Sequence, residues 1–453
     1  MNKQTTGSKT SSLSDEGDAM LALATRLFPL HRSQTGVGLR RTLEILSEEI
    51  PIQVTELASG QTALDWEIPD EWEVRDAFIA DARGERVVDY AKSNLHLVNG
   101  SQPVRAEMSW EALQSHIHVV DDQPDVIPYR TCFFRDDWGF CVTHRQHDRL
   151  RQGGPWTVQV DARYFKGSMS LGECVLPGES DQTVLFHCHT CHPSLANDNL
   201  SGIVVATYLA KHLQRMPRRY TYRLLFAPAT IGVIGWLSLQ TPKQIKQIRH
   251  GLVLTLLGDD APLTYKASRD GGRPIDSIVR QVLGRRDGDF CNREFDPFGY
   301  DERQFNSPGF DLPIGRLSRS VHGEFPQYHT SGDNLELIKA GNLQDSLAAI
   351  LEIVQAIEAS RYPVNLKPHG EPRLGHYGIF KAFGQRDDRG DFQAAMMWVL
   401  NLADGRHSIE NVIERCGLRP GLVREVTDTL AAHGLIDYHD YQVAWPRPEQ
   451  ISR

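Results

Sequence analysis

Val184-Leu-Phe-His-Cys-His-Thr-Cys-His-Pro-Ser-Leu-Ala-Asn-Asp-Asn-Leu-Ser-Gly-Ile203 decides the reading of this chain. Val184, Leu185 and Phe186 are a continuous apolar run that predicts a buried strand. Ile203, Val204, Val205, Ala206, Leu209 and Leu213 predict a buried helix running away from it. Between the two lie His187, His189, His192 and Asp198. In α/β proteins, side chains just past the carboxyl end of a strand line the crevice where ligands bind. A single histidine is usually a hydrogen-bonded core or surface residue. Three of them followed by an aspartate at a strand-to-helix turn supply the ligand types of a zinc site. Cys188 and Cys191 form a C-x-x-C, but a zinc ribbon needs a second such pair, and Cys132, Cys141, Cys174, Cys291 and Cys416 are scattered singly. A redox pair normally opens a helix, whereas Cys188 falls where the strand still runs.

Outward from this stretch, apolar runs alternate with helical periods. Before it, Trp156, Val158 and Val160 alternate as a half-buried strand, and Gly172 to Val175 is expected to continue the same sheet. After it come strand Tyr222 to Phe226, helix Ile231 to Leu239, strand Leu252 to Leu257 ending at Gly258-Asp259-Asp260, and helix Ile275 to Leu283. That order defines an α/β domain, a mostly parallel central sheet with helices on both faces. Residues 285–319, punctuated by Gly299, Pro308, Gly309 and Pro313, read as a long loop of the kind that is usually functional. Leu337 to Ile357 closes the domain as a long helix.

Upstream, Met20, Leu23, Ala24, Leu27 and Phe28 keep a helical period up to Pro29, and Leu39, Leu43, Leu46 and Ile50 keep one up to Pro51. Residues 66–144 change character. Phe78-Ile79 and Val87-Val88 stand among turn signals at Arg83-Gly84 and Asn99-Gly100, which predicts a small β-rich insertion for packing or assembly, with roofing of the site as the alternative. Beyond Pro372, three helices are expected: Ala394 to Leu402, one capped by Ser408 and running through Ile413, and Leu422 to Ala432 opened by Pro420. Leu435 to Tyr438 and Tyr441 to Ala444 then pair as a wing. The expected organisation is a disordered tail at residues 1–17, the α/β domain at 18–65 and 145–372, the insertion at 66–144 and a winged helix at 385–453.

A chain of 453 residues exceeds one ordinary core and splits into domains. Its 49 basic against 58 acidic residues give a net charge of −9, which offers no general attraction for nucleic acid or an anionic membrane. In the last helix Arg424 stands beside Glu425 and Asp428, a poor surface for phosphates, so the winged helix is expected to contact protein. Homo-oligomers through it or through the insertion follow as an expectation. No apolar run reaches the length of a membrane span, and residues 1–18 lack the hydrophobic centre of a signal peptide. Seven cysteines without framework spacing indicate reduced thiols in a cytoplasm.

His192-Pro-Ser-Leu-Ala-Asn-Asp-Asn-Leu-Ser-Gly202 resembles the Asn-Asp-Asn-x-Ser-Gly signature of the co-catalytic zinc aminopeptidases. The chain is most similar to their bacterial aminopeptidase-like relatives, which carry a β-rich insertion and a C-terminal winged helix. Trp72-Glu-Val-Arg-Asp-Ala-Phe78, Ser93-Asn-Leu-His96, Tyr300-Asp-Glu-Arg-Gln-Phe305 and His322-Gly-Glu-Phe-Pro-Gln-Tyr-His-Thr-Ser331 extend the resemblance over most of the chain.

The resemblance implies an amide hydrolase for small aminoacyl or peptidyl substrates with one or two zinc ions. Asp198 falls on the bridging carboxylate, His192 on a ligand of one metal with His189 as accessory, Asp259 on a terminal carboxylate with Asp260 as substitute, and His329 on the second metal. From its own residues, Asp259 also reads as an Asx-type turn after Gly258, and His329 as a loop cap before Thr330-Ser331. The family pattern has Glu-Glu after the strand that ends near Ala227, the first as general base and the second as ligand; Ala229 and Thr230 stand there in this chain. Alanine cannot move a proton and threonine is a weak zinc ligand. Another group then has to carry the proton, and Glu324, Asp301 and His189 are the candidates, with His322 and Glu324 also placed to orient His329.

Overall fold

Seven consecutive buried residues make Thr183–His189 a central strand, because a parallel strand covered on both faces needs no polar alternation. The computed structural model, which describes residues 13–379 and 387–439, places this strand in an eight-stranded sheet. Its order is Gln53–Ala58, Ser168–Leu176, Thr221–Ala227, Thr183–His189, Ile248–Leu254, Ile314–Ser318, Thr264–Lys266, Cys291–Arg293. The four strands from Thr221–Ala227 to Ile314–Ser318 pair in parallel, and both flanks turn antiparallel. Helices Gly202–Gln214, Ile231–Leu239 and Ala340–Ala359 follow the expected alternation. The described residues divide into one compact unit within Met1–Gly271 and Val282–Glu352 and a second within Gly272–Gln281 and Ile353–Arg453.

Three local expectations are corrected. Ile314–Ser318 is a buried parallel strand inside the stretch expected to be loop, disguised by Arg316 at its centre. Trp156–Phe165 alternates as predicted but does not start the central sheet. It lies inside a separate antiparallel sheet ordered Arg86–Asp89, Glu71–Ala80, Trp156–Phe165, Val104–Met108. The first helix, Leu13–Leu27, begins within the residues expected to form only a tail, and residues 1–12 lie outside the described ones. With Val37–Ser47 it buries Met20, Leu23, Leu27, Leu39, Leu43 and Leu46, the apolar positions of both helical periods.

In the second unit, helices Arg389–Leu402, Ile409–Cys416 and Pro420–Ala432 enclose Phe392, Met396, Val399, Val412, Val423, Val426 and Leu430. Ser408 Oγ accepts from Asn411 N at 3.2 Å while Asn411 Oδ1 accepts from Ser408 N at 3.0 Å, a reciprocal cap that starts the middle helix. Ile436–His439 forms a strand, but its partner is Tyr362–Asn365. Tyr441 to Ala444, expected to complete the wing, lies outside the described residues. None of the described helices is long and apolar enough to cross a membrane.

Candidate metal centre

The polar residues of Ala196–Ser201 explain why the chain turns sharply here before helix Gly202–Gln214. Three of them, Asn197, Asn199 and Ser201, tie the turn to the end of strand Ile248–Leu254 and the residues just after it. Asn197 Oδ1 accepts from Gly258 N at 2.9 Å, Asn199 Nδ2 donates to Leu254 O at 3.1 Å, and Ser201 Oγ accepts from Leu257 N at 2.9 Å. A Cβ on Gly202 would lie 2.6 Å from the Leu254 carbonyl oxygen and closer still to Asn199 Oδ1, so only glycine lets the helix start this close. The turn thereby points Asp198, wholly buried, at the end of strand Thr183–His189.

Three imidazoles converge on that carboxylate from two further segments. His189 Nε2 is 2.8 Å from Asp198 Oδ1; His329 Nε2 and His192 Nε2 are 3.0 and 3.8 Å from Oδ2. Tyr300, its ring stacked on His189, donates its hydroxyl to Asp198 Oδ1 at 3.2 Å. Tyr129 packs its ring 5.1 Å from both His192 and His329. It arrives on residues 127–129, which are strung to the His329 loop by Tyr129 N donating to His329 O at 2.7 Å and Ser331 N to Ile127 O at 2.8 Å. A side chain from within the expected insertion therefore forms a wall of the site.

Burial works against charge on Asp198, but the facing imidazoles of His192, His189 and His329 outweigh it and hold its carboxyl well below the usual range. Burial pushes His192 well below the ordinary imidazole value, so it is neutral and free to ligate. Burial, with Asp198 adding to it, raises the Tyr300 phenol well above 10, which keeps it a hydroxyl donor. Asp333 is raised to about 7 by burial and by the neighbouring Asp198, against the pull of three backbone amides.

The remaining predicted residues take other places. Asp259 spends Oδ2 on Asn197 Nδ2 at 2.5 Å and Oδ1 on Ala261 N at 3.0 Å, which is the Asx-type turn, and Asp260 accepts from Asn342 Nδ2 at 2.7 Å. Ala229 lies beside the cluster, its carbonyl facing Cys191 Sγ at 3.7 Å, and Thr230 begins helix Ile231–Leu239. Burial pushes the Cys191 thiol up to about 12, so it is inert as a nucleophile. Glu324 is on the surface in a two-bond pair with Arg293, both bonds 2.7 Å, instead of facing the site as a proton carrier. Asp301 is wholly buried and bonded to His187 Nε2 at 2.7 Å, away from the proton-carrying role expected of it. His322 accepts from, or donates to, no carboxylate of the cluster; its Nδ1 lies 3.3 Å from Arg316 Nη1. Sequence reasoning passed over Tyr129, Asp333 and any role for Tyr300. Asp333 carried a signal, an acid four residues after His329 in the same loop, whereas nothing near Tyr129 in the chain points to the site.

The donor set fits a zinc ion. His189, His192 and Asp198 each bring a ligand atom, all within 4.8 Å of one another, and among the described residues no other group of three metal-capable side chains lies this close. His329 stands outside that group of three but reaches the same carboxylate, its Nε2 3.0 Å from Asp198 Oδ2, and so offers a further imidazole donor beside it. Among the described residues no second carboxylate is hydrogen-bonded to these imidazoles.

This architecture is that of the aminopeptidase-like α/β proteins. The Bacillus subtilis zinc aminopeptidase superposes with a TM-score of 0.56, covering 75% of this chain and 94% of its own, at 14% identity. A crystal structure of a peptidase candidate from Clostridium acetobutylicum matches far more closely, with a TM-score of 0.79 and 37% identity over 94% of this chain and 97% of that one. Residues 21–360 match the family described as a domain of unknown function, DUF4910, and residues 361–438 match a winged helix-turn-helix family. The chain belongs to the DUF4910 family. A Clostridium acetobutylicum protein named as a candidate polysaccharide biosynthesis protein with an aminopeptidase-like domain is 39% identical over 417 residues, 92% of this chain and 95% of its own length.

Proposed function

We propose that the chain is a zinc-dependent hydrolase of amide bonds in small aminoacyl or peptidyl substrates, with His189, His192, His329 and Asp198 holding one ion. The observation that carries this reading is the convergence of three imidazoles on one buried carboxylate. A bound zinc would supply Lewis acidity to polarise a carbonyl and acidify water near neutral pH. The protein's own groups orient and exclude. Tyr300 holds Asp198 and offers a hydroxyl beside it, Tyr129 closes one wall, and the half-exposed His329 marks the open side. A cavity of 530 Å³, lined in part by Phe28, Tyr90, Asn94, Ser194 and Ser331, has the size of small-molecule sites. Ser194 and Ser331 each follow a cluster histidine by two residues. The name of the clostridial relative suggests a setting in polysaccharide biosynthesis, which suits an amide-bearing saccharide precursor.

The site lacks an ordinary base, since Ala229 has no titratable group while Glu324 and Asp301 are engaged elsewhere. Losing a general base costs about a hundred- to ten-thousand-fold in rate, which favours a second reading, a silent binding protein on the same fold. The hydrolase reading requires zinc: elemental analysis is expected to find one ion per chain, and none after Asp198→Ala. Absence of metal from gently purified and zinc-soaked protein would sink the hydrolase and the metal-site assignment and leave the silent reading standing. Turnover within an amide panel, lost in Asp198→Ala, selects the hydrolase, and brisk cleavage of leucyl p-nitroanilide would refute the missing base. For the winged helix, the Arg424 contact to Glu410 at 3.6 Å supports a protein partner over nucleic acid.

A further inference from the structure

The loop that carries His329 also carries Asp333, and Asp333 does not touch the imidazoles at all. It is wholly buried. Its Oδ1 accepts from Asn197 N at 2.6 Å and its Oδ2 from Asp198 N at 2.9 Å, while its carbonyl accepts from Ala196 N at 3.0 Å. Three successive backbone amides of the turn that presents Asp198 are thus spent on one residue. Its own amide donates to Thr330 O at 3.0 Å, which folds the loop back toward His329. On the opposite side, Ser331 Oγ accepts from Ile127 N at 2.9 Å and His329 O from Tyr129 N at 2.7 Å. His329 itself is held at φ 53°, a left-handed conformation that a non-glycine residue keeps only where its surroundings enforce it.

We propose that Asp333 is the positioning residue of the candidate metal centre. It bolts the His329 loop to the Asp198 turn, and through that tie it sets the 3.0 Å separation of His329 Nε2 from Asp198 Oδ2 on which metal affinity depends. The chemistry of the tie explains the residue. A carboxylate is the smallest side chain with two acceptor atoms, able to serve two adjacent N–H groups at once. An asparagine of the same shape would turn an N–H₂ toward one of those N–H donors. The inference rests on the reading of Asp198 as a metal ligand.

The test uses the full-length protein and zinc alone, measured by competition with a chelating indicator. Asp333→Asn is expected to weaken zinc binding by about 10- to 100-fold, the usual range for groups that orient metal ligands. In a His329→Ala background, where the loop no longer delivers a ligand, Asp333→Asn is expected to cost less than about threefold further. Zinc affinity of Asp333→Asn within about threefold of the unmodified protein overturns the proposal, as does an equal loss in both backgrounds, which would mark general loosening. Hydrogen exchange of the unmodified, metal-free protein keeps the question decidable if the variant does not fold. Amides of residues 196–198 are expected to exchange as slowly as those of strand Thr183–His189, and fast exchange there removes the tie. A protein that binds no zinc but keeps these amides protected would defeat the metal reading and leave the tie standing.

Discussion

His187 and His189 are two residues apart on one strand, face the same way, and have opposite fates. His187 is closed: Nδ1 lies 3.1 Å from Leu225 O and Nε2 2.7 Å from Asp301 Oδ2, so both ring nitrogens are committed. His189 turns Nε2 to a carboxylate that His192 and His329 also reach. A buried carboxylate with one imidazole is a structural pair, whereas one with three imidazoles is a ligand cluster. His250 completes the series. It is wholly buried with neither ring nitrogen hydrogen-bonded, and burial, aided by Arg219 and Arg249, lowers it to about 3. What separates the three cases is where the second nitrogen and the facing oxygens go, and residue type alone does not decide it.

The contrast is open to attack at each member. Asp301→Ala leaves His187 buried without its partner and is expected to cost about 3–5 kcal/mol in denaturant unfolding while zinc content stays at one per chain. Loss of zinc with that substitution would merge the two sites and end the distinction. His250 predicts the next largest effect, and its sign follows from its lowered value. The folded protein keeps it neutral while the unfolded chain protonates it below about 6.5, so its stability contribution is complete above that pH and is lost as pH falls toward 3. Between pH 6.5 and 5 the loss is about 2 kcal/mol. Urea titrations at the two values should show it, and His250→Leu should flatten it. Glu324→Ala is expected to change stability by less than about 1 kcal/mol, because its pair with Arg293 is exposed, and to leave zinc affinity as it was. A tenfold change in zinc affinity there would return Glu324 to the site.

Much of this was legible in the chain because its periodicities are local. Continuous apolar runs located three of the four buried parallel strands, and Ser408 and Pro420 marked helix starts that are found at Ile409 and Pro420. Pairing was not local. Trp156–Phe165 alternates identically whether it joins one sheet or another, and its neighbour Glu71–Ala80 is chosen far upstream. Ile314–Ser318 was hidden because Arg316, a charge at the centre of a short strand, is paired with Glu302 at 3.3 Å inside the fold. At the site, His189, His192 and Asp198 could be picked out from residue types and His329 from the family resemblance, whereas the bond from Asn197 to Asp259 is made only across the fold. Tyr129 needed the fold itself, since only the pairing of residues 127–129 with the His329 loop brings it there.

The two largest sheets of the first unit are strung on the chain like brackets inside brackets. Gln53–Ala58 pairs with Ser168–Leu176, with Ala58 opposite Ser168, and inside that pair Glu71–Ala80 meets Trp156–Phe165, with Glu71 opposite Phe165. Formed first, the outer pair would have to close a very long loop before any contact rewarded it, and that is slow. Formed after the inner one, it closes only the short segments from Ala58 to Glu71 and from Phe165 to Ser168. Folding should therefore zip from the inside outward, and on a ribosome the edge strand Gln53–Ala58 emerges early and waits, unpaired, until everything nested within it has been made.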